Sequence, residues 1–381
     1  MTVGLEKKTN KKKVVKRNKT KKRPDALLLS HRTPEKIVKI SEEINNNSLI
    51  KSSYSPSINK DLVSLKSVER KEVLNCNNER AFLLKAPLKI GVPNASGKKT
   101  CYLYSDPVAK KYMLKNLKAN KHVDPNRVVP PIQELANCWF NTMFVSLFIS
   151  DKGRKFFHFL RQMMIEGKQK GGNPIPEVLR DGFALFNYAI DACLTGNKYA
   201  YILNTNAIIQ QIYDSVPEEY RAYIRDVDEA GNPVRYYLSL INYLGNHNLR
   251  VLFVQDCGTS WHFQVQDKLE SDLPDVIILE FFNDDAPTPN KETNFTMNGA
   301  KYVLDSCIIR DTEKNHFSSL LTCEKKEMAY DGMSFHRLTY MNWKDKINTE
   351  FKWQFKGSKD EGRLLTWNFS KGYYMLIYYR V

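Results

Sequence analysis

Two kinds of apolar pattern follow one another along the chain, and their order restricts the fold more than any other feature. Apolar residues recur at helical spacing over residues 138–165 and 177–215. Further along, short runs of β-branched and aromatic residues bounded by turn residues indicate strands over 249–255, 262–266, 275–282, 301–310, 316–324 and 373–381. Helices followed by strands predict an α+β fold, in which a helical lobe packs on a mostly antiparallel sheet.

Positive charge is concentrated at the start of the chain. Residues 1–23 contain nine Lys and two Arg against Glu6 alone, so they carry +10 of the formal net charge of +16. Because like charges repel and few apolar side chains are available for burial, we predict that residues 1–24 form a basic disordered tail. Such a tail could bind nucleic acid or an anionic membrane surface, serve as an import signal, or simply aid solubility.

The remaining chain divides at a proline-rich stretch. Residues 25–122 are predicted to form a linker and an accessory segment, in which Ser105, Asp106 and Pro107 indicate the start of a helix. The sequence DPNRVVPP, which ends at Pro131, interrupts any helix and marks the beginning of a folded domain that we place at 123–381.

The cysteines and the hydropathy exclude several classes of protein. The seven cysteines are odd in number, are scattered and form no C-x-x-C pair, so we expect neither a disulfide framework nor a structural zinc site, and we expect an intracellular, reducing compartment. No apolar run reaches 18 residues, and no signal-peptide core is present at the start, so neither a membrane span nor secretion is expected.

One cysteine lies at the start of a predicted helix. Cys138 follows the proline-rich stretch and opens the apolar run CWFNTMFVSLF. A helix N-terminus favours a thiolate, which is the nucleophilic form of cysteine. The amides of Gln133 and Asn137, just upstream, could donate to an oxyanion beside that sulfur. Alternatively, Cys138 is simply a small buried side chain, as most free cysteines are.

A thiolate nucleophile needs a base, and the base needs an orienting group. Of seven histidines, His316 has the most suggestive surroundings, because a hairpin through EKKE would return Asp331 to its side. Asp305 and Asp311 are alternative carboxylates, and His262 is an alternative base.

Four stretches, in order, resemble motifs of the ubiquitin-specific protease family, which are papain-like deubiquitinating cysteine proteases. The resemblance covers about residues 130–381. A cysteine motif corresponds to QELANCWFNT, a strand motif to LPDVIILEFF, a histidine motif to YVLDSCII, NHFSS and YDG in succession, and a final strand to YYMLIYYR.

The resemblance implies a fold, a reaction and residue roles. The helical lobe would be the thumb and the sheet the palm of a papain-like protease. Cys138 would be the nucleophile, His316 the general base and acid, Asp331 the group that orients His316, and Gln133 an oxyanion-stabilising amide. The implied activity is hydrolysis after the Gly-Gly end of ubiquitin or a ubiquitin-like protein, with no metal or organic cofactor.

The sequence also departs from the family pattern. Leu135 stands in place of a glycine before the nucleophile, Asn315 in place of the glycine before the histidine, and Phe317 in place of the tyrosine after it. Gly332 stands in place of a second acidic residue, and the paired C-x-x-C zinc ribbon is absent. These changes leave the three proposed catalytic residues in place but bear on whether ubiquitin itself is the substrate.

Other functions remain open on the sequence alone. Richness in Lys, Asn, Ile and Tyr, together with divergent motifs, would fit a protein of a large DNA virus. The chain could then be a virion-associated protein with a protease-like fold that acts in assembly or on viral proteins. It could also be a non-catalytic binding module tethered by its basic tail. The Trp- and Lys-rich stretch 333–370 is left without an interpretation.

Overall fold

The structure, a computed structural model, describes residues 52–53, 87–196, 200, 203, 205–269, 273–283, 289–313 and 315–381. The predicted basic tail, 1–24, and most of the accessory segment lie outside these residues. The division of the chain at residues 24 and 122 therefore stays a prediction.

Helices form the first half of the described chain. A short hairpin of β2 (Lys89–Pro93) and β3 (Lys99–Leu103) comes first. The α-helices that follow are α1 (Pro107–Ala119), α2 (Cys138–Phe148), α3 (Asp151–Phe156), α4 (His158–Glu166), α5 (Arg180–Thr195), α6 (Asn206–Ser215), α7 (Pro233–Tyr243) and α8 (Trp261–Asp267). Helix α2 is the centre of this lobe, since all eleven of its residues are buried. A helix that is apolar all round must lie inside the protein, as the sequence pattern indicated.

Strands form the second half. Their bounds are β1 (Ser52–Ser53), β2 (Lys89–Pro93), β3 (Lys99–Leu103), β4 (Val251–Val254), β5 (Val276–Asn283), β6 (Asn294–Met297), β7 (Ala300–Arg310), β8 (Phe317–Cys323), β9 (Lys326–Tyr330), β10 (Leu338–Tyr340), β11 (Lys352–Trp353), β12 (Lys359–Asp360), β13 (Arg363–Leu364), β14 (Trp367–Asn368) and β15 (Gly372–Arg380).

Nine of these strands make one sheet. Its order is β1-β10-β9-β8-β7-β15-β5-β4, and β6 pairs with β7. Only the β4–β5 pair is parallel. The predicted fold class, α+β with a helical lobe on a mostly antiparallel sheet, is therefore confirmed.

Both faces of the sheet are covered by other parts of the protein, so its strands carry apolar side chains on both faces. Along β15, Met375, Ile377 and Tyr379 face the helical lobe. The alternate residues Tyr374, Leu376 and Tyr378 pack into a second core. That second core is closed by aromatic side chains of the stretch 333–370, namely Trp343, Trp353, Phe355, Trp367 and Phe369. The tryptophans of this stretch thus form the second cover of the sheet.

The described part of the accessory segment belongs to the same core as the helical lobe. Asp106 caps α1 by accepting a hydrogen bond from the Val108 N–H at 2.7 Å, as the sequence predicted. Three residues of this helix, Ala109, Met113 and Leu117, are buried in the core of the helical lobe. Asn116 of α1 donates a side-chain hydrogen bond to the buried Asp191 of α5, and so does Asn120, the residue that caps the C-terminus of α1.

One predicted strand is wrong. Residues 262–266 belong to helix α8 rather than to a strand. Trp261 and Val265 are its buried residues, one helical turn apart, whereas Phe263 is 72 % exposed. The alternation of polar and apolar residues is typical of a strand with one buried face. The buried residues, however, are four positions apart, as they are on one face of a helix.

The cysteines are mostly free. Cys138, Cys193, Cys257, Cys307 and Cys323 carry free thiols, whereas Cys101 is disulfide-bonded. The sequence did not predict the disulfide of Cys101.

Within the described residues, none of the helices combines the length and apolarity that crossing a membrane requires.

The packing of α2 yields a test of the helical lobe. A Cβ placed on Gly231 would lie 2.5 Å from Cδ2 and 2.7 Å from Cε2 of the buried Trp139 indole. We expect Gly231→Ala to lower the free energy of unfolding by about 1–3 kcal/mol, the usual cost of overpacking a core. Urea denaturation followed by circular dichroism measures this.

Gly258→Ala is the matched control, because a Cβ there meets no atom within 4 Å. It should change stability by no more than about 0.5 kcal/mol. Equal effects of the two substitutions would contradict the packing described for Trp139.

Candidate active site

Cys138 lies at the first turn of a buried helix. It is the first residue of α2 and is 9 % exposed. The preceding Asn137 makes no side-chain cap to the helix. The amides at this helix start therefore receive no capping oxygen from Asn137, and they add a partial positive charge beside the sulfur.

His316 lies in the loop that enters strand β8. Its backbone N–H donates to Oδ1 of Asp311 at 2.6 Å, and the Asn315 N–H donates to the same oxygen at 2.8 Å. The backbone N–H of Asp311 returns a bond to the His316 carbonyl at 2.9 Å. Asp311 therefore fixes the loop that carries His316 and is not the partner of its ring.

The partner of the His316 ring is Asp331. Nε2 of His316 lies 2.6 Å from Oδ1 of Asp331, and both side chains are buried. The β8–β9 hairpin produces this contact, because Ser319 pairs with Tyr330 and the chain then continues to Asp331. Glu324 and Lys325, at the turn, both have positive φ, which suits a two-residue hairpin turn. The proximity predicted from the EKKE hairpin is present.

Helix α2 is held along strand β8, and this alignment brings Cys138 to His316. The Ser319 hydroxyl donates to the Thr142 carbonyl at 3.2 Å and lies 3.1 Å from the Ser146 hydroxyl. The starts of α2 and β8 therefore lie at the same end of the contact. Cys138 lies close enough to the His316 ring to raise its pKa. Since Nε2 is engaged by Asp331, Nδ1 is the ring nitrogen left for the sulfur.

The surroundings of His316 favour its protonated form. Burial lowers its pKa, but the charge and hydrogen bond of Asp331 and the hydrogen bond and charge of Cys138 outweigh burial and raise the pKa to about 10. At neutral pH His316 is therefore the positively charged imidazolium, with a proton on each ring nitrogen.

Gln133 belongs to a segment that is bound to the Asp331 loop. Its backbone N–H donates to the Gly332 carbonyl at 3.0 Å, and the Pro131 carbonyl accepts a bond from the Tyr330 hydroxyl at 2.9 Å. Oδ1 of Asn137 accepts from the Glu134 N–H at 3.2 Å and from Asn141. The segment before the nucleophile is thus hydrogen-bonded to the loop that follows β9.

The two amides considered as oxyanion donors differ in their surroundings. The Asn137 amide donates to Thr205 and to Asn206, so its N–H groups are used within the helical lobe. Among the described residues, Oε1 of Gln133 is buried and has no hydrogen-bond partner. The role of the Gln133 N–H₂ group as an oxyanion donor stays a prediction.

Two departures from the family pattern have structural counterparts. Leu135 has φ +57° and is 64 % exposed, so the backbone keeps the left-handed conformation that a glycine adopts readily. A Cβ on Gly332 would lie 2.8 Å from the Tyr330 hydroxyl and 2.9 Å from Cβ of Gln133. A side chain at position 332 would therefore displace Gln133 or Tyr330.

The alternatives named from the sequence lie elsewhere. Asp305 accepts a bond from the Lys152 N–H at the start of α3, far along β7 from the loop of His316. His262 stacks on Trp261 and contacts Glu292 at 3.2 Å. Within the part of the chain that the structure describes, neither contacts Cys138 or His316.

Two residues at the site were not foreseen. The Ser358 hydroxyl donates to Oδ2 of Asp331, and the Trp367 ring packs edge-on against the His316 ring with centroids 5.9 Å apart. Both belong to the stretch 333–370. No motif or spacing in the sequence connects them to His316 or Asp331.

No family model matches the chain, and no curated protein matches it. Among solved structures, an essential yeast splicing factor is similar over 82 % of this chain and 80 % of that chain, with a TM-score of 0.40 and 11 % identity. The SAGA DUB module of Ubp8, Sgf11, Sus1 and Sgf73 bound to monoubiquitin is similar over 94 % of this chain and 96 % of that chain, with a TM-score of 0.42 and 7 % identity. At these values neither likeness bears on function.

The raised pKa of His316 predicts a pH dependence of stability. Because the folded-state pKa of about 10 exceeds the unfolded value of about 6.5, the stabilisation is fully present below pH 6.5 and is lost as the pH rises through 10. Between pH 7 and pH 10, the free energy of unfolding of the wild type should fall more than that of His316→Gln. Urea denaturation at pH 6, 8 and 10 measures this difference.

His336→Gln is the control, because burial lowers the pKa of His336 to about 4. That histidine is neutral in both states above its unfolded pKa, so the variant should keep the wild-type slope from pH 7 to pH 10. Parallel curves for wild type and His316→Gln would contradict the assignment of a protonated His316.

Proposed function

We propose that the chain is a thiol-dependent hydrolase in which Cys138 is the nucleophile, His316 the general base and acid, and Asp331 the group that orients His316. The observation that carries this proposal is the 2.6 Å contact between Nε2 of His316 and Oδ1 of Asp331, with Cys138 close enough to raise the pKa of the same ring. A nucleophile, a base and an orienting carboxylate in this order are what acyl transfer requires.

The first step would form a thioester. The Cys138 thiolate attacks a carbonyl carbon, and the electron pair of the carbonyl moves to its oxygen. The backbone N–H of Cys138 and the amide of Gln133 would donate to that oxyanion. His316 then gives its proton to the leaving amine as the carbon–nitrogen bond breaks.

The second step would release the acid. Neutral His316 takes a proton from water, the hydroxide oxygen attacks the thioester carbon, and the sulfur leaves as a thiolate. The proton remains on His316, which restores the starting pair. Asp331 keeps the ring oriented through both steps and stabilises the imidazolium when it forms.

As substrate we propose the Gly-Gly end of ubiquitin or of a ubiquitin-like protein, joined to an amine in a peptide or isopeptide bond. This part of the proposal depends on the sequence resemblance, namely four motifs in the same order with the cysteine early and the histidine late. The exposed side chain of Leu135, three residues before the nucleophile, is the feature most able to alter which C-terminus fits.

A ubiquitin whose C-terminus carries a thiol-reactive electrophile tests both parts. We expect it to label wild type at Cys138 and to leave Cys138→Ala unlabelled, while Cys257→Ala, which removes a buried thiol outside the site, labels normally. His316→Ala should lower the labelling rate about 10²–10⁴-fold, the usual contribution of general acid–base catalysis. Intact mass and peptide mapping give the readout.

Iodoacetamide separates the two parts of the proposal. Rapid alkylation of Cys138 at neutral pH without labelling by the ubiquitin electrophile would reject ubiquitin and keep the hydrolase. Alkylation of Cys138 no faster than that of a simple thiol would reject the hydrolase itself.

The basic segment provides a further prediction. We expect deletion of residues 1–24 to leave the labelling rate unchanged, because none of the described contacts of the site involves that segment. Retention on heparin, which measures salt-dependent binding to a polyanion, should fall. A loss of labelling on deletion would show that the segment belongs to the catalytic unit.

A further inference from the structure

We propose that Ser358 is a positioning residue of the site, which holds the Asp331 carboxylate in the orientation that His316 needs. The inference rests on the proposed function and assigns a role to part of the stretch 333–370. It concerns a residue 27 positions beyond Asp331 in the chain.

Ser358 is fully buried and fixed on both sides by its backbone. Its N–H donates to the Phe355 carbonyl at 3.1 Å, and its carbonyl accepts from the Leu365 N–H at 3.0 Å. The hydroxyl donates to Oδ2 of Asp331. An ionised carboxylate only accepts hydrogen bonds, so the direction of this bond is determined.

The bond completes the hydrogen bonding of Asp331. Oδ1 accepts from Nε2 of His316 at 2.6 Å and from the Met333 N–H at 3.1 Å, and Oδ2 accepts from Ser358. A buried carboxylate stays ionised only when donors replace the water it has lost. With both oxygens engaged, rotation of the carboxylate away from the ring would break a bond on each side.

The same stretch also encloses the histidine. Trp367 packs against the His316 ring, and Phe355 packs edge-on against Trp367 with centroids 5.1 Å apart. The Thr366 carbonyl accepts from the Thr312 N–H at 2.8 Å, which ties the stretch to the loop that carries His316. The stretch therefore contacts the acid, the base and the loop between β7 and β8.

The effect of Ser358 should reach the sulfur through Asp331 and His316. Without the hydroxyl, the Asp331 carboxylate can rotate away from Nε2, so it stabilises the His316 imidazolium less. The pH at which the imidazolium loses its proton should then fall. The amount expected for one charge-assisted bond is about one pH unit, or tenfold in the equilibrium.

The experiment measures the rate of Cys138 alkylation by iodoacetamide against pH, by peptide mapping, and therefore needs no knowledge of the substrate. The variants are Ser358→Ala, Asp331→Asn and the two combined. Ser334→Ala is the matched control, because Ser334 is a buried serine of the same stretch whose hydroxyl donates to the Lys356 carbonyl instead. Thermal unfolding establishes that each variant is folded.

We expect Ser358→Ala to move the upper limb of the pH profile down by about one unit, and Ser334→Ala to leave it in place. In the Asp331→Asn background, Ser358→Ala should add no further shift, because its effect passes through the carboxylate. If Ser358→Ala does not fold, Ser358→Thr and Ser358→Val give the same comparison, since they match in shape and only Thr keeps the hydroxyl.

The positioning role would be overturned if Ser358→Ala left the pH profile unshifted. It would also be overturned if Ser358→Ala shifted the profile equally in the wild-type and Asp331→Asn backgrounds. Either result would leave the proposed hydrolase activity standing. A wild type in which Cys138 reacts like a simple thiol at every pH would overturn the proposed function and this inference with it. The two failures are therefore distinguishable.

Discussion

The contact between helix α2 and strand β8 is the interaction on which the candidate site depends. The helix belongs to the first half of the chain and the strand to the second, and the Ser319 hydroxyl joins them through Thr142 and Ser146. Small side chains at this contact let the helix backbone approach the sheet closely. Cys138 and His316, at the ends of the two elements, meet because the elements are aligned.

Five of the six strands predicted from the sequence lie within two residues of their observed bounds, because both faces of the sheet are buried. Strands covered on both sides carry apolar side chains on both faces, as β5 and β15 do at most of their positions. The segment over residues 262–266 misled for a physical reason. Over so short a stretch, the alternation of Trp261, Phe263 and Val265 resembles a strand, yet the burial of Trp261 and Val265 alone is helical.

Of the site, the part that depends on local chain geometry was predictable. A hairpin through EKKE predicts that residue 331 returns to the side of residue 316, and Nε2 of His316 lies 2.6 Å from Oδ1 of Asp331. The part that depends on long-range packing was not. Ser358 and Trp367 reach the site because 333–370 folds over the outer face of the sheet, and no periodicity or motif records where such a segment will lie.

The functional amides illustrate the same limit at closer range. Asn137 and Gln133 are both amide residues just before Cys138, and their residue types alone do not distinguish them. The fold uses Asn137 to join α2 to the start of α6 through Asn206. Only the tertiary structure shows that one amide holds the helical lobe together and the other does not.

The position of strand β15 has a consequence for biosynthesis. This strand lies between β5 and β7 and pairs with both, although it is formed by residues 372–380. On the ribosome, the halves of the sheet that hold β5 and β7 remain unjoined until those residues have emerged. A nascent or truncated chain that has not yet formed β15 therefore lacks the strand that joins the two halves of the sheet.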